Sequence, residues 1–218
     1  VRLLELVGML DKPYPEEWTL RARRAYYGSV SYIDDRVGDL LQALNAADLA
    51  DNTVIIFTSD HGEMFGERGM WFKRTFFEQS LRIPLIIHAP GRIKPQRVET
   101  LASLVDLVPT FMGFAAGPNW VPPVDALDGA DLGMFLGVKT QDRSIYAEYL
   151  SDMVTSPQMM IRRGSLKFIT GSGDPDLLFD LRADPKELNN VATDETYSDQ
   201  LQAFRIEAIK TWDRDQMT

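Results

Sequence analysis

Two residues of metal-binding type stand side by side at Asp60 and His61, and a lysine follows at Lys73. A carboxylate oxygen and an imidazole nitrogen suit Ca²⁺, Mg²⁺, Mn²⁺ or Zn²⁺, and two ligands do not choose among these ions. The lysine ammonium is suited to neutralising an oxyanion. Glycines at 62, 66 and 69 allow the backbone between them to wrap closely around a bound group. For an arbitrary Asp-His pair a capped strand end with a hydrogen-bonded histidine is the plainer account. The apolar run before this pair, and the glycines and lysine after it, weigh equally on the metal side. A closed metal site needs further ligands, and no other carboxylate cluster in the sequence is placed to supply them.

The run that must carry the pair is Val54, Ile55, Ile56 and Phe57, after the turn signal Asp51-Asn52. It reads as a buried parallel strand. In an open α/β sheet ligands bind beyond the carboxyl ends of the strands, where Asp60 and His61 would project. A second continuous run, Ile83 to His88, is closed by Pro90-Gly91, and Pro84 marks it as a strand start or an edge. Before these strands, Tyr26, Val30, Ile33, Val37, Leu40 and Leu44 recur at helical spacing and predict a long helix over about Thr19 to Ala46. Thr19 is its candidate cap. Arg21, Arg23 and Arg24 in its first turns oppose the helix dipole and read as a solvated, ion-paired face or a subunit contact. Asp34 and Asp35 read as solvent-facing or paired to Arg36 or Arg24. Val1 to Leu10 has the spacing of a helix end, broken by Asp11-Lys12-Pro13-Tyr14-Pro15.

Further along, Ser103 to Met112 opens a helix with Asp106 near its N-cap and Pro109 in its first turn, ended by Gly117-Pro118. Asn119 to Gly137 reads as a loop with a short helix near Asp131 to Leu136. From Arg143 the character changes. Ser144 to Leu150, Gln158 to Arg162, Leu166 to Thr170 and Leu177 to Leu181 are strands so close in sequence that antiparallel pairing is favoured. A last helix, about Glu195 to Trp212, turns Leu201, Phe204, Ile209 and Trp212 inward. The expected fold class is α/β. A helix-flanked, mostly parallel sheet occupies residues 1–143, and a small antiparallel sheet subdomain with a terminal helix occupies 144–218.

With 218 residues, 44% hydrophobic and 25% charged, the chain is ordinary globular material. A net charge of −9 argues against nucleic acid and anionic membrane as main partners. No apolar run approaches the roughly 18 residues a spanning helix needs. Cysteine is absent, which excludes disulfides, thiolate metal sites and cysteine nucleophiles within these residues. The opening Val1-Arg2-Leu3-Leu4-Glu5-Leu6 has no initiator Met, and Glu5 breaks any signal-peptide core, so it reads as the interior of a longer chain.

The stretch from Asp60 to Lys73, Asp-His-Gly-Glu-Met-Phe-Gly-Glu-Arg-Gly-Met-Trp-Phe-Lys, resembles the second half of a sulfatase of the alkaline phosphatase superfamily. Its continuation through Arg74-Thr75-Phe76-Phe77-Glu78 and Arg82 to Gly91 is most similar to the choline sulfatases. Phe179-Asp180-Leu181 and Asp184-Pro185-Lys186-Glu187-Leu188-Asn189-Asn190 match the family's C-terminal pattern, a structural turn before the last helix. The resemblance implies a partial alkaline-phosphatase-like sheet and hydrolysis of a small sulfate ester. It implies one divalent cation, Ca²⁺, Mn²⁺ or Mg²⁺, with Asp60 and His61 as two of its ligands. Having histidine there is similar to the choline sulfatase and phosphonate monoester hydrolase branches. Lys73 matches the lysine that contacts the sulfate, a catalytic and substrate-binding role. Glu148 is the candidate carboxylate for a quaternary ammonium, or else a strand residue paired to Arg143 or Arg162. Trp71 lines the pocket or, more plainly, packs. His88 and the phenylalanines at 72, 76 and 77 read as structural.

The family nucleophile is a formylglycine made from Cys or Ser in a Cys/Ser-x-Pro-x-Arg motif. No residue here fits it, so the chain by itself is expected to be inactive, with the formylglycine and further metal carboxylates on a preceding segment. Hydrolysis of a phosphonate or phosphate monoester by the same superfamily is the second reading, and a non-catalytic anion-binding domain the third. A cytoplasmic location is expected ahead of a periplasmic one, and self-association stays open.

Overall fold

A computed structural model describes residues 14–117, 127–137, 143–150, 154 and 156–212. The helix expected over Val1 to Leu10 and part of the loop after Gly117 lie outside the described residues. The chain forms two compact units, Val1–Pro95 and Gln96–Thr218.

The first unit opens with α1, Glu16–Ala46. It begins three residues earlier than expected, capped by Pro15 rather than Thr19, with Glu16 and Glu17 in its first turn. Carboxylates there complement the dipole that the following arginines oppose. No residue of α1 is buried. Arg36 pairs with Asp39, one turn on, leaving Asp34 and Asp35 at the surface. A short turn over Ala50–Asn52 leads into β1, Ile55–Thr58. The chain then makes a two-residue hairpin, β2 (Met64–Phe65) and β3 (Trp71–Phe72), a one-turn helix α2 (Glu78–Leu81), and β4 (Leu85–His88).

The pairing corrects one expectation. β1 and β4 run antiparallel, with Ile55 opposite His88 and Thr58 opposite Leu85. An apolar run gives a strand but carries no information on its neighbour's direction, which here is set by the path through the hairpin and α2. Nor is β1 buried: Phe57 on β1 and Ile86 on β4 are exposed. Pro84 lies immediately before β4, where its missing N–H costs no ladder bond.

The second unit opens with a turn over Leu104–Asp106 that runs directly into α3, Leu107–Ala116. Ser103 and Asp106 form a capping box. Asp106 is fully buried and does more than cap. Its two oxygens accept the amides of Ser103 (2.7 Å) and Ala130 (2.8 Å) and both terminal nitrogens of Arg143 (3.1 and 3.0 Å). One carboxylate thus ties the start of α3, the loop at 130 and the entry to the next strand. A Cβ on Gly129 would lie 2.0 Å from the Val105 carbonyl oxygen, so this close passage demands glycine.

β5 (Ser144–Tyr149), β6 (Gln158–Arg163), β7 (Leu166–Gly171) and β8 (Leu177–Asp180) form an antiparallel sheet in chain order. The last helix, α4 (Ser198–Thr211), packs on it. Met159, Ile161, Phe168 and Leu178 from the sheet meet Leu201, Phe204, Ala208 and Trp212. Ala208, not Ile209, takes the inward position, and Ile209 is 78% exposed. On the opposite face of β7 from Phe168, Lys167 and Glu187 form a fully buried ion pair at 2.8 Å. Asn190 accepts the Leu178 amide at 2.9 Å, which occupies the outer edge of β8.

At the other side of the sheet Glu207 accepts the Tyr146 hydroxyl (2.7 Å) and the Arg163 guanidinium. Desolvation pushes Glu207 up, but bonds from Tyr146 and Ser144 and the Arg163 charge outweigh it and hold the carboxyl below its ordinary value. A lowered carboxylate stabilises the fold above its unfolded value, about 4.3. That contribution is lost as pH falls through the lower folded value. We expect E207Q to reduce stability at neutral pH and to flatten the acid limb of a plot of urea midpoint against pH.

Candidate active site

Asp60 and His61 lie just past β1, after Ser59, and Lys73 follows β3 directly. The Asp60 Oδ2 lies 3.3 Å from His61 Nε2, so the two side chains face one another. The Lys73 Nζ lies 2.6 Å from the same Nε2. His61 Nδ1 is 2.7 Å from the Gly62 carbonyl oxygen. A carbonyl only accepts, so Nδ1 carries the proton and Nε2 presents its lone pair towards Asp60 and Lys73. The pair is accessible, with the Asp60 side chain 81% exposed and that of His61 32% exposed.

The backbone fixes these positions locally. The Ser59 hydroxyl donates to the His61 carbonyl at 2.8 Å, and the His61 amide donates to Asp60 Oδ1 at 3.0 Å. The slight burial of Asp60 pushes its carboxyl up, but hydrogen bonds from the His61 amide and the Ser59 hydroxyl outweigh it and hold it below the ordinary carboxylate range. The carboxylate is therefore ionised at neutral pH. The Gly62 amide donates to Ser80 (2.7 Å) and that of Glu63 to Gln79 (2.9 Å). A Cβ at 62 would lie 2.0 Å from the Gln79 carbonyl oxygen. We expect G62A to lower unfolding stability by about 1–3 kcal/mol or more through backbone displacement, read by urea denaturation.

The loop between His61 and Lys73 is held against α1. Arg23 donates from Nε to the Phe65 carbonyl and from Nη2 to Glu67 Oε1, both at 3.0 Å. Glu67 accepts the Phe65 amide through its other oxygen at 2.5 Å. Glu67 bonds Arg23, and Arg68 lies over the Phe77 ring, 4.0 Å from its centroid. Trp71 packs edge-on to Tyr14 and Phe65. Phe76 is buried as expected, whereas Phe72 is 59% exposed.

Glu148 lies on β5 in the second unit, exposed and opposite Met159. The arginines considered as its partners go elsewhere: Arg143 forks onto Asp106, and Arg162 donates to the Gly164 carbonyl.

The donor types fit half of a divalent-cation site: an exposed, ionised carboxylate and an imidazole nitrogen facing it, the latter capped in this structure by the Lys73 ammonium. Among the described residues no group of three or more His, Asp or Glu gathers to complete one. Fold and site together define the class, and the chain belongs to the sulfatase family. The Sulfatase family model matches residues 10–117, and the model for the C-terminal region of N-sulphoglucosamine sulphohydrolase matches 66–212.

The chain is 39% identical over 203 residues to a choline-sulfatase of Rhizobium meliloti (strain 1021), an alignment covering 92% of this chain and 39% of that protein. It is similar to the phosphonate monoester hydrolase of Agrobacterium radiobacter, with a TM-score of 0.73 and 32% identity over 86% of this chain and 40% of the other. A 2-O GAG sulfatase superposes with a TM-score of 0.81 at 26% identity, over 91% of this chain and 44% of the other. The chain thus spans about two fifths of the length of these relatives.

Proposed function

We propose that this chain is part of a metal-dependent sulfuric ester hydrolase of choline-sulfatase type. The observation that carries this reading is the convergence of Asp60, His61 and Lys73 at one point. Asp60 and His61 are two ligands of one divalent cation, Ca²⁺, Mn²⁺ or Mg²⁺. When bound, the ion supplies charge that stabilises the non-bridging oxygens of the ester. Lys73 supplies a second positive charge for those oxygens and holds the ester in place. The hydrogen bond of Nδ1 to Gly62 keeps His61 in the tautomer that presents Nε2. The nucleophile, a formylglycine, is contributed by a segment outside these 218 residues, so that these residues alone do not turn over substrate.

The test uses the longest natural polypeptide carrying these residues. We expect a bound divalent ion that D60A and H61A abolish, and turnover of choline sulfate above 4-nitrophenyl sulfate and phenylphosphonate. A second reading, hydrolysis of phosphonate or phosphate monoesters, is favoured by the 32% identity to the phosphonate monoester hydrolase. Faster turnover of phenylphosphonate than of either sulfate ester would select it. A protein without a divalent ion and without turnover of any of the three would be a non-catalytic anion-binding domain.

A further inference from the structure

The β2–β3 hairpin that delivers Lys73 has two residues in each strand, Met64 opposite Phe72 and Phe65 opposite Trp71. So short a ladder does not hold itself in water. It also contains Arg68 at φ 57° and Phe72 at φ 71°, both in the left-handed region that side-chain-bearing residues avoid. Such a backbone persists only where its surroundings over-determine it.

Arg23 supplies that determination. Its guanidinium takes the Phe65 carbonyl and one Glu67 oxygen, while the other Glu67 oxygen takes the Phe65 amide. The Phe65 residue is thereby gripped at both of its backbone polar groups by an ion pair anchored on α1. Tyr26, one turn further along α1, packs edge-on to the Phe65 ring at 4.4 Å. Past the hairpin turn, which is closed by the Gly66 amide on the Met70 carbonyl at 2.8 Å, the chain reaches Lys73 within three residues. The planar fork reads the Phe65–Glu67 geometry with two nitrogens at once, which an ammonium cannot reproduce.

We propose that Arg23 is a positioning residue that acts through Lys73, fixing the hairpin so that the ammonium meets His61. This rests on the reading of Lys73 given above. The experiment has two arms. In the first, R23M, R23K, K73A and R23M/K73A are compared in the longest natural polypeptide on whichever of choline sulfate, 4-nitrophenyl sulfate and phenylphosphonate it turns over fastest. R23M is expected to lower kcat roughly 10- to 100-fold, to leave the bound metal in place and to add no further loss in the K73A background, and R23K is expected to recover part of the rate. Equal losses from R23M in both backgrounds would make Arg23 a general stability residue and overturn the proposal. So would parental kcat in R23M alongside an impaired K73A.

The second arm needs no turnover. Hydrogen exchange of the Gly66 and Met70 amides is expected to accelerate at least about 10-fold in R23M, with the Leu178 and Val191 amides unchanged. Unchanged exchange at Gly66 and Met70 would overturn the proposal whatever the activity. If K73A itself keeps parental activity, the role given to Lys73 falls, and exchange alone decides whether Arg23 holds the hairpin.

Discussion

Replacing Lys73 with methionine is expected to lower kcat/KM for the preferred ester roughly 100- to 1,000-fold, the usual loss for one preorganised oxyanion partner. The ammonium stands 2.6 Å from the imidazole nitrogen proposed as a metal ligand. An anionic ester bridging the two would therefore meet both charges at once. The variant should bind the divalent ion at least as well as the parent, because removing a cation from beside the ligands relieves like-charge repulsion. Metal content by mass spectrometry, alongside steady-state rates, separates the two effects. K73R keeps the charge but not the compact point geometry, and is expected to fall between parent and K73M. Parental kcat/KM in K73M would remove Lys73 from the chemistry.

The largest stability effect is expected at the buried pair in the second unit. Lys167 and Glu187 have no exposed side-chain surface and meet at 2.8 Å. Replacing either alone by alanine removes the opposite charge from its buried partner, at a cost of about 3–5 kcal/mol. Replacing both with methionine removes the desolvation penalty along with the attraction, and is expected to recover most of that loss. Position 187 adds a constraint, because its φ of 55° disfavours a side chain. E187A keeps a Cβ at that φ as the parent does, so comparing it with E187G separates the loss of the carboxylate from the backbone effect. Urea unfolding followed by fluorescence of Trp212, which sits in the sheet–helix core, reports these changes. An E187A variant as stable as the parent would show that the pair contributes nothing net.

Elements whose information is local were legible in the sequence. Helical spacing from Tyr26 to Leu44 located α1 to within a turn. The short strands after Arg143, separated by turn residues such as Gly164, gave the antiparallel sheet almost to the residue. Residue type, glycine spacing and resemblance agreed on the Asp60-His61 pair and Lys73 as candidates, and the structure brings the three side chains together. Information that depends on distant chain was not legible. The direction of β1 against β4 depends on the path of the loop between them, which an apolar run does not encode. The grip of Arg23 on Phe65 and Glu67 spans more than forty residues, and in the sequence Arg23 is one of three near-adjacent arginines with nothing to single it out. Ile209 was set inward by periodicity alone, but the smaller Ala208 faces the core.

The apolar surface of α1 bears on any solution study of these 218 residues. Tyr27 is 67% exposed and Leu40 66%, and Trp18, Val30, Tyr32 and Ile33 are more than half exposed. Truncating such side chains removes little area that is shielded from solvent, so unfolding assays on the isolated chain will score them as neutral. The same surface invites association between molecules. A sedimentation profile of these 218 residues therefore reports association through this helix surface together with any specific contact.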